Sequence, residues 1–364
     1  MAMVTVWEKY VEYLRWLFLL PCRKPLLLVL MLVLFVTWML SLSDNSVYQH
    51  IQVGDGAKDL EMLGKSISRN GQSDIHLDII NVSKPYRPDF KCIYMKTSPP
   101  TPVCLHAIYT DEYISHDLET TGLWEPRVLG DFIEVLVRDP TIGVVDLGAN
   151  IGVYTLVSAK MGHKVIAVEP YLENIYRIHY GALLGKSDRN IVLLHNAVSD
   201  RRVMSTLKMH GTNQGDIRVR HGSEPCMGSC PAVVATVLLD DLLQVATFNR
   251  CVIKIDVQGF EHRIMMRAST FLQEITVPYI FMEWQLMRDH YVASNHTSLD
   301  KQLVKTMVEY LMHKRYRPYT LDVSGAYALD PARWHEWPDD IIWRRLASDR
   351  ELSKLLRNHF LVWP

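Results

Sequence analysis

The chain has 364 residues, 48% of them hydrophobic and 22% charged, enough to bury a sizeable core in one large domain or two small ones. Its formal net charge is -1, with Lys and Arg scattered among Asp and Glu. That leaves no broad basic field for gripping a phosphate backbone, so nucleic acid is not an expected partner.

The first predicted element is the uncharged, almost wholly apolar run Pro25 to Leu42. It reads as a membrane span at the short end of the usual ~17 to 25 residues. A buried core helix needs no all-round apolar surface, and a cleaved signal peptide has a shorter apolar run ending at small residues, which Leu40-Ser41-Leu42-Ser43 does not supply. Lys9, Arg15, Arg23 and Lys24 precede the run and Asp44 follows it, so the positive-inside rule leaves residues 1–24 as a cytoplasmic tail. Everything beyond residue 43 is then luminal, and the shortness of the span favours the Golgi or endoplasmic reticulum. The expectation is a single-pass type II membrane protein.

Residues 43–120 are rich in polar residues and carry Pro85, Pro88, Pro99, Pro100 and Pro102, which discourage long helices and central strands. They read as a luminal stem merging into the edge of a catalytic domain. Cys92 with Cys104, and Cys226 with Cys230, are closely spaced pairs able to form disulfides in an oxidising lumen, although spacing does not fix the pairing. A lone C-x3-C is a weak zinc signal, and no metal is expected. Asn81-Val82-Ser83 and Asn295-His296-Thr297 have the form of glycosylation acceptors.

Across residues 121–364 short β-branched runs alternate with longer helical ones, the signature of βαβ units and a doubly wound, mostly parallel sheet. Strands are predicted over Ile142 to Asp146, Lys164 to Glu169, Ile191 to His195, Val252 to Asp256 and Tyr279 to Glu283. Helices are predicted over Tyr154 to Met161 and Leu172 to Leu184, with an amphipathic one marked by Leu299, Leu303, Met307 and Leu311.

The most informative segment is Asp146-Leu147-Gly148-Ala149-Asn150-Ile151-Gly152, where an apolar strand enters a Gly-containing turn and then a helix. Open α/β sheets bind ligands at such a turn. Gly148 is expected to let ligand and backbone approach closely, and Gly152 to let the following helix pack near the strand. One βα unit later, Glu169 ends the second strand, at the right distance to accept hydrogen bonds from two ribose hydroxyls. A dinucleotide site would want G-x-G-x-x-G to cradle a pyrophosphate, yet Asn150 stands two after Gly148 and Asp146 would repel a phosphate. Asp146 better matches a cation such as a sulfonium or an amino group. Asn196, ending the third strand, is placed to read an adenine edge, or simply to cap a turn. Lys254-Ile255-Asp256-Val257-Gln258-Gly259-Phe260-Glu261 ends the fourth strand beside the same pocket.

In these segments the chain resembles the FkbM-type S-adenosylmethionine-dependent methyltransferases. The resemblance runs from about Gly143 to Glu283, through DLGANIGVYT at 146–155, VEP at 168–170, NAVSD at 196–200, LDDL at 239–242 and KIDVQGFE at 254–261. It implies a class I methyltransferase (Rossmann-like) fold of seven strands, one antiparallel, with S-adenosylmethionine as cofactor. The reaction implied is O-methylation of a hydroxyl, here expected on a sugar or glycan. Cofactor contacts fall on Asp146, Gly148, Ala149, Asn150, Gly152, Glu169 and Asn196. The catalytic candidates are Asp256, Glu283 and Glu261, since a sugar hydroxyl must lose its proton as the new bond forms. His262 is expected to face solvent. Trp284, Trp334 and Trp337 are open either to stacking on an acceptor or to the core. Gln258 departs from the more usual D-V-E-G, so a methyltransferase-fold protein that binds without catalysis is the alternative reading.

Overall fold

The apolar runs of the predicted strands bury alternate side chains in two separate cores. Val145, Leu147, Ile166, Val168, Ile253 and Ile255 feed one, while Val144, Val165, Ala167, Val252 and Phe281 feed the other. A strand covered on both faces needs an unbroken apolar run, which is why these segments lack the polar alternation of a one-sided sheet.

The computed structural model describes residues 62–69, 72–210, 213–220, 233–292, 298–321 and 327–346. The first strands are β1 (Met62–Arg69), β2 (Gln72–Ile80), β3 (Cys92–Met95) and β4 (Thr101–Cys104). Helices α1 (Ile114–Thr121) and α2 (Pro126–Arg138) lead into β5 (Gly143–Leu147), α3 (Val153–Lys160), β6 (Val165–Val168), α4 (Leu172–Gly185) and β7 (Ile191–Leu194). Next come β8 (Ala197–Val198), β9 (Met204–His210), β10 (Asn213–Arg220), β11 (Val233–Val237) and β12 (Cys251–Ile255). The chain continues with α5 (Glu261–Met265), α6 (Phe271–Glu274), β13 (Tyr279–Glu283), α7 (Gln285–Val292) and α8 (Ser298–His313), then β14 (Tyr316–Thr320) and β15 (Asp340–Arg345).

Nine strands form the main sheet in the order β1-β2-β7-β6-β5-β12-β13-β15-β14. From β7 to β13 all neighbours are parallel, and β15 runs antiparallel to both β13 and β14. Those seven strands have the expected layout with one reversed strand. The doubly wound α/β expectation therefore fits the sheet, and the hairpin β1–β2 extends it by two antiparallel strands. Local sequence explains the helices: α2 has Pro126 in its first turn, where a missing N–H costs nothing, and buries the stripe Val128, Leu129, Phe132, Val135 and Leu136. In α8 the buried stripe is Val304, Met307, Val308 and Leu311, one helical face.

Several expectations need correction. No helix among the described residues is long and apolar enough to cross a membrane, which overturns the transmembrane helix and the single-pass membrane localisation read from composition. The run Pro25 to Leu42 itself lies outside the described residues, as do Cys226, Cys230 and Asn295. From residue 62 the presumed stem is structured. It supplies β1 and β2 to the main sheet, and the hairpin β3–β4, whose paired Cys92 and Cys104 are joined by a disulfide. The prolines obscured this although Pro85, Pro88, Pro99 and Pro100 lie between strands, and Pro102 sits in the two-stranded β3–β4 hairpin, where each strand has an open edge.

Candidate active site

A cleft of about 540 Å³ opens at the carboxyl ends of β5, β6, β12 and β13. It lies where the strand order reverses around β5, the place at which open α/β sheets take their ligands. Asp146, Gly148, Ala149, Asn150, Glu169, Asp256 and Glu283 all line it, whereas Gly152, Asn196 and Glu261 do not.

One wall is the turn after β5. Gly148 has φ +78°, and an added Cβ would meet the Asp256 carbonyl oxygen at 1.9 Å. The close approach that this glycine permits is thus to the chain leaving β12, and Asp256 N–H donates to the Leu147 carbonyl across the same gap (3.0 Å). Gly152, at φ +92°, is needed for its approach to Ile178 of α4, 2.9 Å from a Cβ, rather than to a strand. Asp146 is buried, and its Oδ2 accepts from the Thr155 hydroxyl at 2.6 Å. Burial pushes its pKa up to about 6 against the opposing pull of Thr155 and Lys254.

Glu169 closes this wall. Its Oε2 accepts from Asn150 N–H (2.8 Å), and its Oε1 from Tyr171 N–H (2.8 Å) and the Asn174 side-chain amide (3.1 Å). Burial raises its pKa to about 7 despite those donors. Asn174 is held from behind by His106, whose Nε2 lies 2.7 Å from its Oδ1. Burial lowers the His106 pKa to about 4, so the ring is neutral and donates through Nε2. Because the Asn150 amide is already committed to Glu169, the turn has a carboxylate where a dinucleotide site would offer N–H groups to a pyrophosphate.

Asn196 points elsewhere. It is fully buried, accepting from Asp78 N–H (2.9 Å) and donating to the carbonyls of His76 (3.2 Å) and Ala235 (3.1 Å). It ties β7 to β2 and β11, so an adenine-reading role does not fit its position. The small sheet in the order β10-β9-β11-β8 instead brings Ala197, Val198, Arg218 and Val219 to the cleft.

The opposite wall comes from β12, β13 and β15. Lys254 is the one charged residue in the otherwise apolar β12, directly beside Asp146 in the ladder. It is buried, with Nζ 5.3 Å from the Tyr154 ring centre, 3.7 Å from Asp256 Oδ2, and without a hydrogen-bond partner. Burial disfavours its charge, but Asp256, Glu125, Asp340 and Glu283 more than offset that and hold its pKa above the ordinary lysine value. Glu283 and Asp340 face each other across β13 and β15. Burial, then Asp256 and Glu261, drive the Glu283 pKa far up. Gln258, at φ +58°, donates from Nε2 to Asp256 Oδ1 at 3.0 Å. A carboxylate in that place would face Asp256 as a like charge, so the departure from D-V-E-G here supplies a donor.

Seven carboxylates, from Glu125 and Asp146 to Asp339 and Asp340, line the cleft against the cations Lys254 and Arg218. Lys254, Tyr154, Asp340 and Asn174 escaped the motif reading. Only Lys254 left a clear signal, a lone charge inside a buried strand. His262 is buried, contrary to expectation. Trp284, Trp334 and Trp337 are buried against one another, with Trp284 and Trp337 ring centres 4.6 Å apart, and belong to the core.

No curated protein matches the chain. Among solved structures it is similar to methyltransferase FkbM from Methylobacillus flagellatus KT, with 15% identity over 56% of this chain and 43% of that one and a TM-score of 0.35. The chain thus spans less than half the length of that protein. It is also similar to the O-methyltransferase from Bacillus cereus in complex with SAH (12% identity, 63% of this chain, 84% of that one, TM-score 0.36). A third is the O-methyltransferase TomG from Streptomyces achromogenes, involved in tomaymycin synthesis, in complex with SAM (8%, 64%, 86%, 0.37). These likenesses are remote, but the model of the methyltransferase FkbM domain matches residues 146–318, from Asp146 at the first wall to β14. Over those residues, just under half of the chain, the protein carries a methyltransferase FkbM domain.

Proposed function

We propose that the cleft binds S-adenosylmethionine along its β5–β6 wall and that the protein transfers the methyl group to an uncharged hydroxyl, as on a sugar, held against the β12–β13 wall. The observation that carries this reading is the meeting, in one cleft, of Glu169 and Asp146 on one side with Asp256 and Glu283 on the other. When bound, the sulfonium supplies an activated methyl carbon. The residues present fit that group: the acidic lining attracts a cationic donor, and the Asn150–Glu169 contact removes the amide that a phosphate would need. Glu169 retains acceptor capacity for ribose hydroxyls beside its present donors.

On the acceptor side, the same acidic lining disfavours phosphorylated, sulfated or carboxylated acceptors. Asp256 is placed to accept the hydroxyl proton, and Lys254 Nζ, which lacks a hydrogen-bond partner, is placed to donate to the hydroxyl oxygen. In-line methyl transfer otherwise asks of the protein mainly alignment and exclusion of water.

Calorimetry of S-adenosylmethionine and S-adenosylhomocysteine with the full chain tests the donor assignment. Saturable binding is expected, weakened by about 1 to 3 kcal/mol in Glu169→Ala, the scale of losing hydrogen bonds to a charged group. Absence of binding by the wild type removes the enzyme reading, and an unchanged affinity in the variant removes the ribose from Glu169.

A further inference from the structure

At the floor of the acceptor side, Asp256, Glu261 and Glu283 each offer a carboxylate oxygen within 4.8 Å of the others. They come from three separate segments: the end of β12, the first residue of α5 and the end of β13. Convergence of acids alone would say little, since such clusters are common. The second observation is the state of their oxygens. Glu261 is 1% exposed, and its Oε1 accepts from Val257 N–H (2.9 Å) and Gly259 N–H (3.2 Å). Its Oε2, equally buried, has no partner, and neither has Glu283 Oε2. Buried polar atoms are normally satisfied, and an orphaned carboxylate oxygen in a buried acidic site marks a missing cation or donor.

Lys254 does not fill that need. Its Nζ stands 3.7 Å from Asp256 Oδ2 with no hydrogen bond, and it donates to neither Glu261 Oε2 nor Glu283 Oε2. We infer that Asp256, Glu261 and Glu283 form a binding site for a hard divalent cation such as Ca²⁺. Two oxygens bound to one Ca²⁺ at about 2.4 Å can stand at most about 4.8 Å apart, so oxygens lying within 4.8 Å of one another are compatible with a shared ion. Mg²⁺, at about 2.0 to 2.1 Å, would hold its oxygens within about 4.2 Å of one another. An all-oxygen donor set selects Ca²⁺, Mg²⁺ or Mn²⁺ over zinc or copper. Glu261 reaches the ion from beneath while Asp256 and Glu283 line the cleft, so the open coordination positions face the acceptor. On the methyltransferase reading, on which this last step rests, a hydroxyl of the acceptor completes the coordination and is thereby held and acidified.

Calorimetric titration of the metal-stripped full chain with CaCl₂, and in parallel with MgCl₂ and MnCl₂, decides the matter. One saturable site per chain is expected, with Glu283→Gln weakening it by at least about tenfold, the smaller loss seen even for outer partners of metal ligands. Should that variant unfold, Asp256→Asn serves in its place. No saturable binding up to about 10 mM, beyond the roughly 10⁻³ M of weak protein Ca²⁺ sites, overturns the inference. So does binding that the substitution leaves unchanged. Titration of the same protein with S-adenosylhomocysteine reports the donor site separately, so failure of the metal site and failure of the methyltransferase reading are told apart.

Discussion

The two walls of the cleft are built on opposite principles. On the β5–β6 side the acids are largely satisfied by the protein itself: Asp146 by Thr155, and Glu169 by Asn150, Tyr171 and Asn174. On the β12–β13 side Lys254 Nζ, Glu261 Oε2 and Glu283 Oε2 are buried without hydrogen-bond partners. A satisfied polar network fixes its side chains in advance, whereas a partly satisfied one is costly until something arrives to complete it. The contrast suits a shared donor bound by a rigid half and an acceptor, with its cation, recognised by a half that is finished only on binding.

The largest effect is expected where the two walls touch. Gly148→Ala places a Cβ 1.9 Å from the Asp256 carbonyl oxygen at a backbone angle that L residues rarely adopt. Backbone cannot swing aside as a side chain can, so the variant should lose more than about 4 kcal/mol in urea unfolding or fail to fold. Gly152→Ala meets side-chain atoms of Ile178 and Leu156 rather than backbone and should cost less, about 1 to 3 kcal/mol for overpacking together with its positive φ. Equal stability of Gly148→Ala and wild type would show that the walls are not locked together through this turn.

Asn196 stands behind the rigid half and tests how far the donor wall extends. Its three hydrogen bonds join β7 to β2 and β11, so Asn196→Ala should cost about 1 to 3 kcal/mol of stability and leave S-adenosylhomocysteine affinity unchanged. A fall in affinity without loss of stability would return Asn196 to the cofactor site. The case also shows what sequence could and could not disclose. The central strands were legible because burial on both faces forces unbroken apolar runs, and the turn after β5 because it needs Gly148 beside acids. Asn196 sits in the right motif, yet its neighbours His76 and Ala235 are 120 and 39 residues away, and nothing local says which way its amide points. For the same reason Lys254 drew no notice: its meaning comes from Glu125, Glu283 and Asp340, which the fold alone brings to it. Among the strands before residue 105 only β4 carries a proline, Pro102; the other prolines of that stretch lie between strands and masked them, and Asp340 lies on the reversed strand that no motif marked.

Asp340 gives the smallest effect and the sharpest test of the unfinished wall. Burial raises its pKa from 3.8 to about 7; Lys254 pulls it down, while Glu125, Asp256 and Asp339 push it further up. A carboxyl with a raised folded-state pKa holds its proton more tightly in the folded chain than in the unfolded one. Its contribution to stability is therefore complete below about pH 4 and is lost as pH rises through about 7. Asp340→Asn carries no such titration, so its thermal midpoint should fall less than that of the wild type between about pH 5 and 8, the two curves converging toward the acid end. Parallel curves would mean that Asp340 is solvated well enough to ionise freely, and the crowding of acids around Lys254 would then be too weak to call for a completing cation. If the curves do differ, added Ca²⁺ should raise the wild-type midpoint more at pH 8 than at pH 5, because the ion offsets a repulsion that exists only once the carboxyls are charged.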